Sequence, residues 1–246
     1  MPRKAREKSK TGIYHIMIRG INQQQIFQDD EDNEKFLEVL KDYKVACGFE
    51  LYGYCLMGNH VHLLIRAVND KLDRIFKKIG ARYVYWYNRK YKRSGHLFQD
   101  RFLSEPVEDK EYFLAVLRYI HQNPVKATLA STVDGYRWSS YNEYVGKCKL
   151  VDTALVSKIM SSEKFEKFNK AENSDCCLEK AIHLNDDDAK GIMRRLFDFD
   201  TVEKFQQLDF QERNICINKL REEGISVRQI SRLTGFSRGI VERALA

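Results

Sequence analysis

The sequence predicts an α+β fold in which helices cover one face of an antiparallel sheet, followed by an all-α C-terminal region. Over residues 1–146, short apolar runs of strand length alternate with longer amphipathic runs of helical period. Their order is β-α-β-β-α-β with one added helix, which is the ferredoxin-like arrangement. Residues 213–246 show only helical patterns. A chain of 246 residues is long enough for one or two domains with a sizeable core.

The first strand is predicted over residues 13–19 and ends at Gly20. Acidic residues at positions 29–32 then supply the cap and the first-turn charges of a helix. Gly48 closes this helix in the manner of a left-handed cap.

A hairpin follows, with strands over residues 49–57 and 60–67 joined by the turn residues Gly58 and Asn59. A long helix is then predicted over residues 71–92.

The fourth strand lies within residues 97–107, and the last helix of this domain spans residues 109–123. We expect that helix to stop at Pro124, since proline lacks the backbone N–H that a helix needs.

The C-terminal part has the pattern of a helix-turn-helix module, with a glycine turn at residues 234–236. The second helix of that pattern points Arg238 and Arg243 outward. Seven basic and three acidic residues in segment 213–246 favour DNA contact over a plain three-helix scaffold. Residues 147–212 are predicted to be a helical connector.

Charge and aromatic content indicate a nucleic-acid partner. The chain has a net charge of +7, and residues 66–101 carry eleven basic residues against three acidic ones. Segment 82–93 interleaves cations with aromatic rings. Because cations bind phosphates and rings stack on unpaired bases, this mixture favours single-stranded nucleic acid.

Other compositional features exclude several classes. No apolar run reaches the length of a membrane span, and the basic N-terminus has no apolar stretch behind it, so we expect neither a membrane partner nor a secretory signal. The six cysteines show no Cys-x-x-Cys spacing. This argues against a zinc knuckle or a disulfide framework and predicts a cytoplasmic protein.

A pair of histidines is the sharpest chemical feature. His60 and His62 alternate along a predicted strand, so both imidazoles project from one face and can converge on a metal ion. Two histidines with this spacing and no further partner are more often structural, and a metal site needs a third ligand. His15 on the first strand is either a further ligand or a buried core histidine.

The predicted helix over residues 109–123 offers that ligand and a nucleophile. Tyr119 and Asn123 are spaced i, i+4 and lie one above the other beside the apolar stripe. We expect Tyr119 to be half-exposed, as an attacking hydroxyl has to be. A nearby cation would favour the phenolate of a group whose ordinary pKa is near 10.

Several motifs together resemble a known family. The two strongest are MGNHVHLLI at residues 57–65 and YIHQNPVKA at residues 119–127, and shorter matches are GIYH, RGIN, GHLFQDRF and WSSY. Over residues 8–146 the chain resembles the HUH single-tyrosine transposases, and more narrowly the REP-associated tyrosine transposases.

The resemblance implies a metal-dependent nuclease and strand transferase acting on single-stranded DNA. His60 and His62 match the two metal-binding histidines and Asn123 matches the polar third ligand. Tyr119 matches the nucleophile, which forms a 5′-phosphotyrosine bond and leaves a free 3′-hydroxyl. The implied metal is Mg²⁺ or Mn²⁺, and two nitrogen ligands favour Mn²⁺.

The implied substrate is DNA that folds as a hairpin, and basic or polar residues along the chain are candidates to contact it. These candidates are Arg19, Asn22, Arg82, Arg89, Lys90, Lys92, Arg93, Arg101, Lys126, Arg238 and Arg243. Relatives occur as monomers and as homodimers, and we expect a monomer that uses its own tyrosine.

Three alternatives stay open. The chain could be a domesticated DNA-binding regulator that keeps the transposase fold, a hydrolytic metalloenzyme that uses activated water, or a structural protein. Replacing Tyr119 with Phe separates the strand transferase from the hydrolase, because only a tyrosine nucleophile gives a covalent DNA adduct.

Overall fold

The computed structural model describes residues 6–67, 72–99, 101–146, 149–171, 186–197 and 199–245. The chain forms two compact units, residues 1–178 and 179–246. This boundary falls inside the predicted connector 147–212, because the early helices of that stretch pack with the first unit and the later ones with the second.

A four-stranded sheet is the centre of the first unit. Its strands are β1 (Ile13–Arg19), β2 (Glu50–Met57), β3 (His60–Arg66) and β4 (Leu103–Pro106). Their order across the sheet is β2-β3-β1-β4, and every neighbouring pair is antiparallel. The predicted α+β class and its β-α-β-β-α-β order are confirmed.

Two helices, α1 (Asp30–Cys47) and α2 (Leu72–Lys90), cover one face of this sheet through a shared apolar core. Helix α1 begins at the capping box formed by Asp29 and Asp32, and it ends at Gly48, which adopts a left-handed φ of 66°. Both ends are where the sequence predicts them.

Helix α3 (Lys110–Lys126) packs against the opposite face of the sheet, so helices cover both faces and not one as expected. The expected stop at Pro124 is wrong, since the helix runs on to Lys126 and the Ala127 N–H still donates to the Asn123 carbonyl at 2.9 Å. A proline in the last turn removes one hydrogen bond only, and the burial of Pro124 offsets that loss. Asn123 therefore stays helical, one turn after Tyr119.

Three short helices complete the described part of the first unit: α4 (Tyr141–Val145), α5 (Ala154–Ile159) and α6 (Ser162–Lys170). The buried Glu143 carboxylate accepts from three consecutive backbone N–H groups, at residues 149–151, and so fixes the segment after α4. Asn169 of α6 bonds to His121 and Gln122 of α3, which anchors the site-bearing helix.

The second unit has its own apolar core. Its helices are α7 (Asp186–Phe197), α8 (Val202–Gln206), α9 (Phe210–Glu222), α10 (Val227–Thr234) and α11 (Arg238–Ala244). Gly235 ends α10 with a φ of 73°, and Ser226 and Ser237 cap α10 and α11. The helices and the glycine turn lie where the sequence predicts them.

In the described segments, no helix combines the length and the apolar character needed to cross a bilayer.

Candidate active site

Strand β3 carries His60 and His62 on the sheet face that α3 covers. Their ring centroids are 4.9 Å apart and the rings are nearly perpendicular, at 87°. Intervening Val61 points into the core on the other face. The alternation of a strand thus brings both imidazoles to one place.

Tyr119 of α3 lies against His62 and against His15 of β1. Its ring centroid is 5.5 Å from that of His62 and 5.7 Å from that of His15. The ring is completely buried, so the expected half-exposure is wrong. The cause is that α3 buries every residue from Tyr119 to Pro124, and that the Lys126 ammonium group lies 5.4 Å from the tyrosine ring.

Asn123 is buried one turn after Tyr119. Its Nδ2 atom is buried and has no hydrogen-bond partner among the residues that the structure describes. Because buried polar atoms in folded proteins almost always have a partner, this unpaired N–H group is available to donate to a bound acceptor.

Hydrogen bonds orient both imidazoles. His60 Nδ1 lies 2.7 Å from Asn59 Oδ1, and His62 Nδ1 lies 3.0 Å from His15 Nε2. His15 is itself completely buried, and its Nδ1 is 3.9 Å from Glu105 Oε2. Sequence reasoning missed Asn59 and Glu105, since only the register of β1 against β4 places Glu105 opposite His15.

Burial keeps these imidazoles neutral. It lowers the pKa of His60 to about 4, and the positive charge of Arg19 adds to the effect. Burial also lowers the pKa of His62 well below its ordinary value, with further contributions from His60 and His15. A neutral imidazole has a free lone pair, which is the form that binds a metal.

The donor set fits a divalent ion. With both Nδ1 atoms engaged, Nε2 is the remaining nitrogen of each ring, which is the arrangement common in metal-binding histidines. Within the described ranges, no three His, Cys, Asp or Glu side chains are placed to hold a metal. Asn123, buried on α3 one turn after Tyr119, carries an amide oxygen of the kind that can serve as a third donor.

Three of the predicted DNA contacts have structural partners on the face of the sheet away from Tyr119. Arg82 pairs with Asp42 of α1 at 2.7 Å. Lys90 binds three carboxylates at the start of α1, at distances of 2.7 to 2.9 Å. Arg93 donates to the Gln24 side chain and to a backbone carbonyl. These cations join α1, α2 and the adjoining loops.

Other predicted contacts are better placed for DNA. Arg19 ends β1 beside His60, and Lys126 is exposed next to Tyr119. Arg101 is exposed at a cavity of about 500 Å³ that Phe98 and Phe102 help to line. The remaining first-unit candidates are all exposed, and they are Asn22, Arg89 and Lys92.

In the second unit, the two arginines predicted to point outward both lie on α11. Arg238 pairs with Glu242 at 2.9 Å, and exposed Arg243 donates to the Gly239 carbonyl.

The sheet, the imidazole pair and the tyrosine on the covering helix define an α+β domain with a histidine–tyrosine cluster on one sheet face. Residues 8–123 match the family model described as "Transposase IS200 like". This segment, which contains His60, His62, Tyr119 and Asn123, is similar to that family. The match confirms the resemblance to single-tyrosine transposases and supports a transposase-like role in DNA processing.

One solved structure shows the same fold. The chain is 13% identical to a REP-associated tyrosine transposase whose structure was solved bound to a REP hairpin, with a TM-score of 0.53 over 73% of this chain and 96% of that one. A putative transposase from Deinococcus radiodurans is 20% identical over 44% of this chain and 87% of that one, and its TM-score of 0.34 is too low for an argument. Among curated proteins, no match was found.

Proposed function

We propose that this chain is a single-tyrosine strand transferase of the REP-associated branch. It cleaves single-stranded, hairpin-forming DNA through a 5′-phosphotyrosine bond at Tyr119, with Mg²⁺ or Mn²⁺ as cofactor. One observation carries the proposal: the Tyr119 ring lies 5.5 Å from the ring of His62, within the same cluster as His60.

In the proposed reaction, the Tyr119 oxygen forms a bond to phosphorus as the bond from phosphorus to the 3′ oxygen breaks. The phenol loses its proton, and the departing 3′ oxygen takes one up. The 5′-phosphotyrosine conserves the phosphodiester bond energy, so a later 3′-hydroxyl can rejoin the strand without a nucleotide cofactor. His60, His62 and Asn123 would hold a divalent ion, which neutralises charge on the non-bridging phosphate oxygens when bound.

Charge and similarity support a hairpin DNA substrate. The chain carries a net charge of +7, and its structural neighbour was solved with a REP hairpin bound. Arg19 and Lys126 adjoin the imidazole–tyrosine cluster, where a bent strand would present its phosphate. We propose these two as the contacts nearest the cleaved bond.

The test is a search for the covalent adduct. Wild-type protein incubated with an end-labelled single-stranded hairpin and Mn²⁺ should give a protein–DNA species that survives denaturation. Tyr119→Phe should give none, because the attacking oxygen is gone. Tyr112→Phe, which changes another tyrosine of α3, is the matched control and should keep the adduct. An adduct that persists in Tyr119→Phe would exclude this mechanism.

The complete burial of Tyr119 favours a second candidate, a DNA-binding regulator that retains the fold. Such a protein would bind the hairpin without cutting it, whether Mn²⁺ is present or absent. A metal-dependent hydrolase would cut the hairpin equally well with Tyr119→Phe. The same gel therefore separates all three activities.

A further inference from the structure

A row of polar side chains runs from β4 through β1 to β3 beneath the proposed metal site, with one hydrogen bond, between His15 and His62, and a longer electrostatic approach of Glu105 to His15. His15 and Glu105 are register partners on β1 and β4. Completely buried His15 directs Nε2 to His62 Nδ1 at 3.0 Å, while its Nδ1 lies 3.9 Å from Glu105 Oε2. The side chains of Glu105, His15 and His62 therefore lie in a row across three neighbouring strands.

The negative charge of Glu105 favours one placement of the ring protons. A neutral imidazole has one N–H and one lone pair, and a carboxylate can only accept. Glu105 therefore favours the form of His15 that is protonated at Nδ1, which leaves a lone pair at Nε2. The bond to His62 then requires a proton on His62 Nδ1, and the free lone pair of His62 is at Nε2.

His60, the other candidate ligand, is oriented by a different neighbour and also has its lone pair at Nε2. Asn59 Oδ1 lies 2.7 Å from His60 Nδ1 and accepts its proton, so the lone pair of His60 is also at Nε2. Two unrelated neighbours thus prepare both imidazoles to bind through the same nitrogen. Metal-binding histidines are commonly held in this way by a partner on the other ring nitrogen.

We propose that His15 and Glu105 are positioning residues that hold His62 as an Nε2 donor to a divalent cation. His15 is not itself a ligand, because its Nε2 is occupied by the bond to His62. The inference rests on the proposed function, since the cation is the one proposed to be held by His60, His62 and Asn123.

Mn²⁺ binding to the full chain without DNA tests the proposal, with free Mn²⁺ followed by electron paramagnetic resonance. Partners of this kind typically account for 10- to 100-fold in metal affinity, so His15→Leu should weaken Mn²⁺ binding about tenfold or more. His15→Gln, whose amide oxygen can accept the same proton, should restore most of the affinity. Glu105→Gln should give an intermediate loss.

The control is His96→Leu, which removes an exposed histidine and should leave the affinity for Mn²⁺ unchanged. A second measurement needs no substitution: long-range ¹⁵N correlation spectra of the metal-free protein should show His62 protonated at Nδ1. Protonation at Nε2 would overturn the proposal even if His15→Leu failed to fold.

His62→Ala separates this inference from the proposed function. If His62→Ala abolishes Mn²⁺ binding while folded His15→Leu binds as tightly as wild type, the positioning role is wrong and the metal site stands. If His62→Ala binds Mn²⁺ as tightly as wild type, the metal site itself fails, and the positioning role fails with it.

Discussion

His121 shows how a single buried side chain makes stability depend on pH. Both of its ring nitrogens are bonded, to Asn169 and to Ser140 at 2.9 Å each. Burial lowers its pKa to about 4, although the Asn169 bond opposes the shift. Between pH 4 and the ordinary value of 6.5, the unfolded chain therefore takes up a proton that the folded chain refuses.

It follows that the free energy of unfolding should fall as the pH drops from 6.5 to 4, by about 1.4 kcal/mol per pH unit for this one group. Urea unfolding at pH 7, 5.5 and 4.5 measures the slope. His121→Gln keeps polar contacts but cannot titrate, so its stability should vary less with pH. Equal slopes for the two proteins would show that His121 does not titrate in this window.

At the scale of elements, the pairing of α1 with α2 assigns Lys90 a role that the sequence does not show. The spacing of cations and aromatics predicts a DNA contact, yet Lys90 binds Asp29, Glu31 and the buried Asp32. Burial alone would lower the pKa of Lys90, but the hydrogen bonds that its ammonium group donates to these carboxylates raise it. The partners are about sixty positions apart in the chain, so local patterning could not reveal them.

Lys90→Ala should therefore lower stability and spare DNA binding. Loss of charged hydrogen bonds to the buried Asp32 predicts a decrease of roughly 1–3 kcal/mol in the free energy of unfolding. Urea unfolding and a hairpin-binding titration measure the two effects. Arg89→Ala, one residue away on the exposed surface, should do the reverse. A large loss of hairpin affinity in Lys90→Ala with unchanged stability would restore the original prediction.

The helix ends and the hairpin can be predicted from the sequence because short-range interactions determine them. The cap at Asp29, the left-handed Gly48 and the hairpin at Gly58 all follow from short-range chemistry. The predicted end of α3 at Pro124 is wrong because burial of this segment in the tertiary structure outweighs the low helix preference of proline. Within the site, the spacing of His60 and His62 is local, whereas Glu105 enters through strand register alone.

At the scale of the whole molecule, the two units carry different charge. Residues 179–246 contain twelve basic and twelve acidic side chains, so the net charge of +7 belongs to residues 1–178. Within the second unit, basic residues outnumber acidic ones only in the segment of its last three helices. Any DNA affinity of this unit must come from that local distribution and not from its overall charge.

Removing the second unit should therefore weaken hairpin binding without abolishing chemistry. The cut belongs after residue 178, because a cut after residue 212 would expose the core side chains Met193 and Phe205. The shortened chain keeps the sheet, α3 and the imidazole cluster. At saturating hairpin it should form as much denaturation-resistant adduct as the full chain.

A double variant of the full chain identifies the source of the lost affinity. Replacing Arg238 and Arg243 with Ala should reduce the slope of log affinity against log salt by about two, if each arginine contacts one phosphate. Adduct yield at saturation should not change, because neither residue belongs to the catalytic unit. Equal affinity and salt slope in the full chain, the double variant and the shortened chain would mean that the second unit does not contact the hairpin.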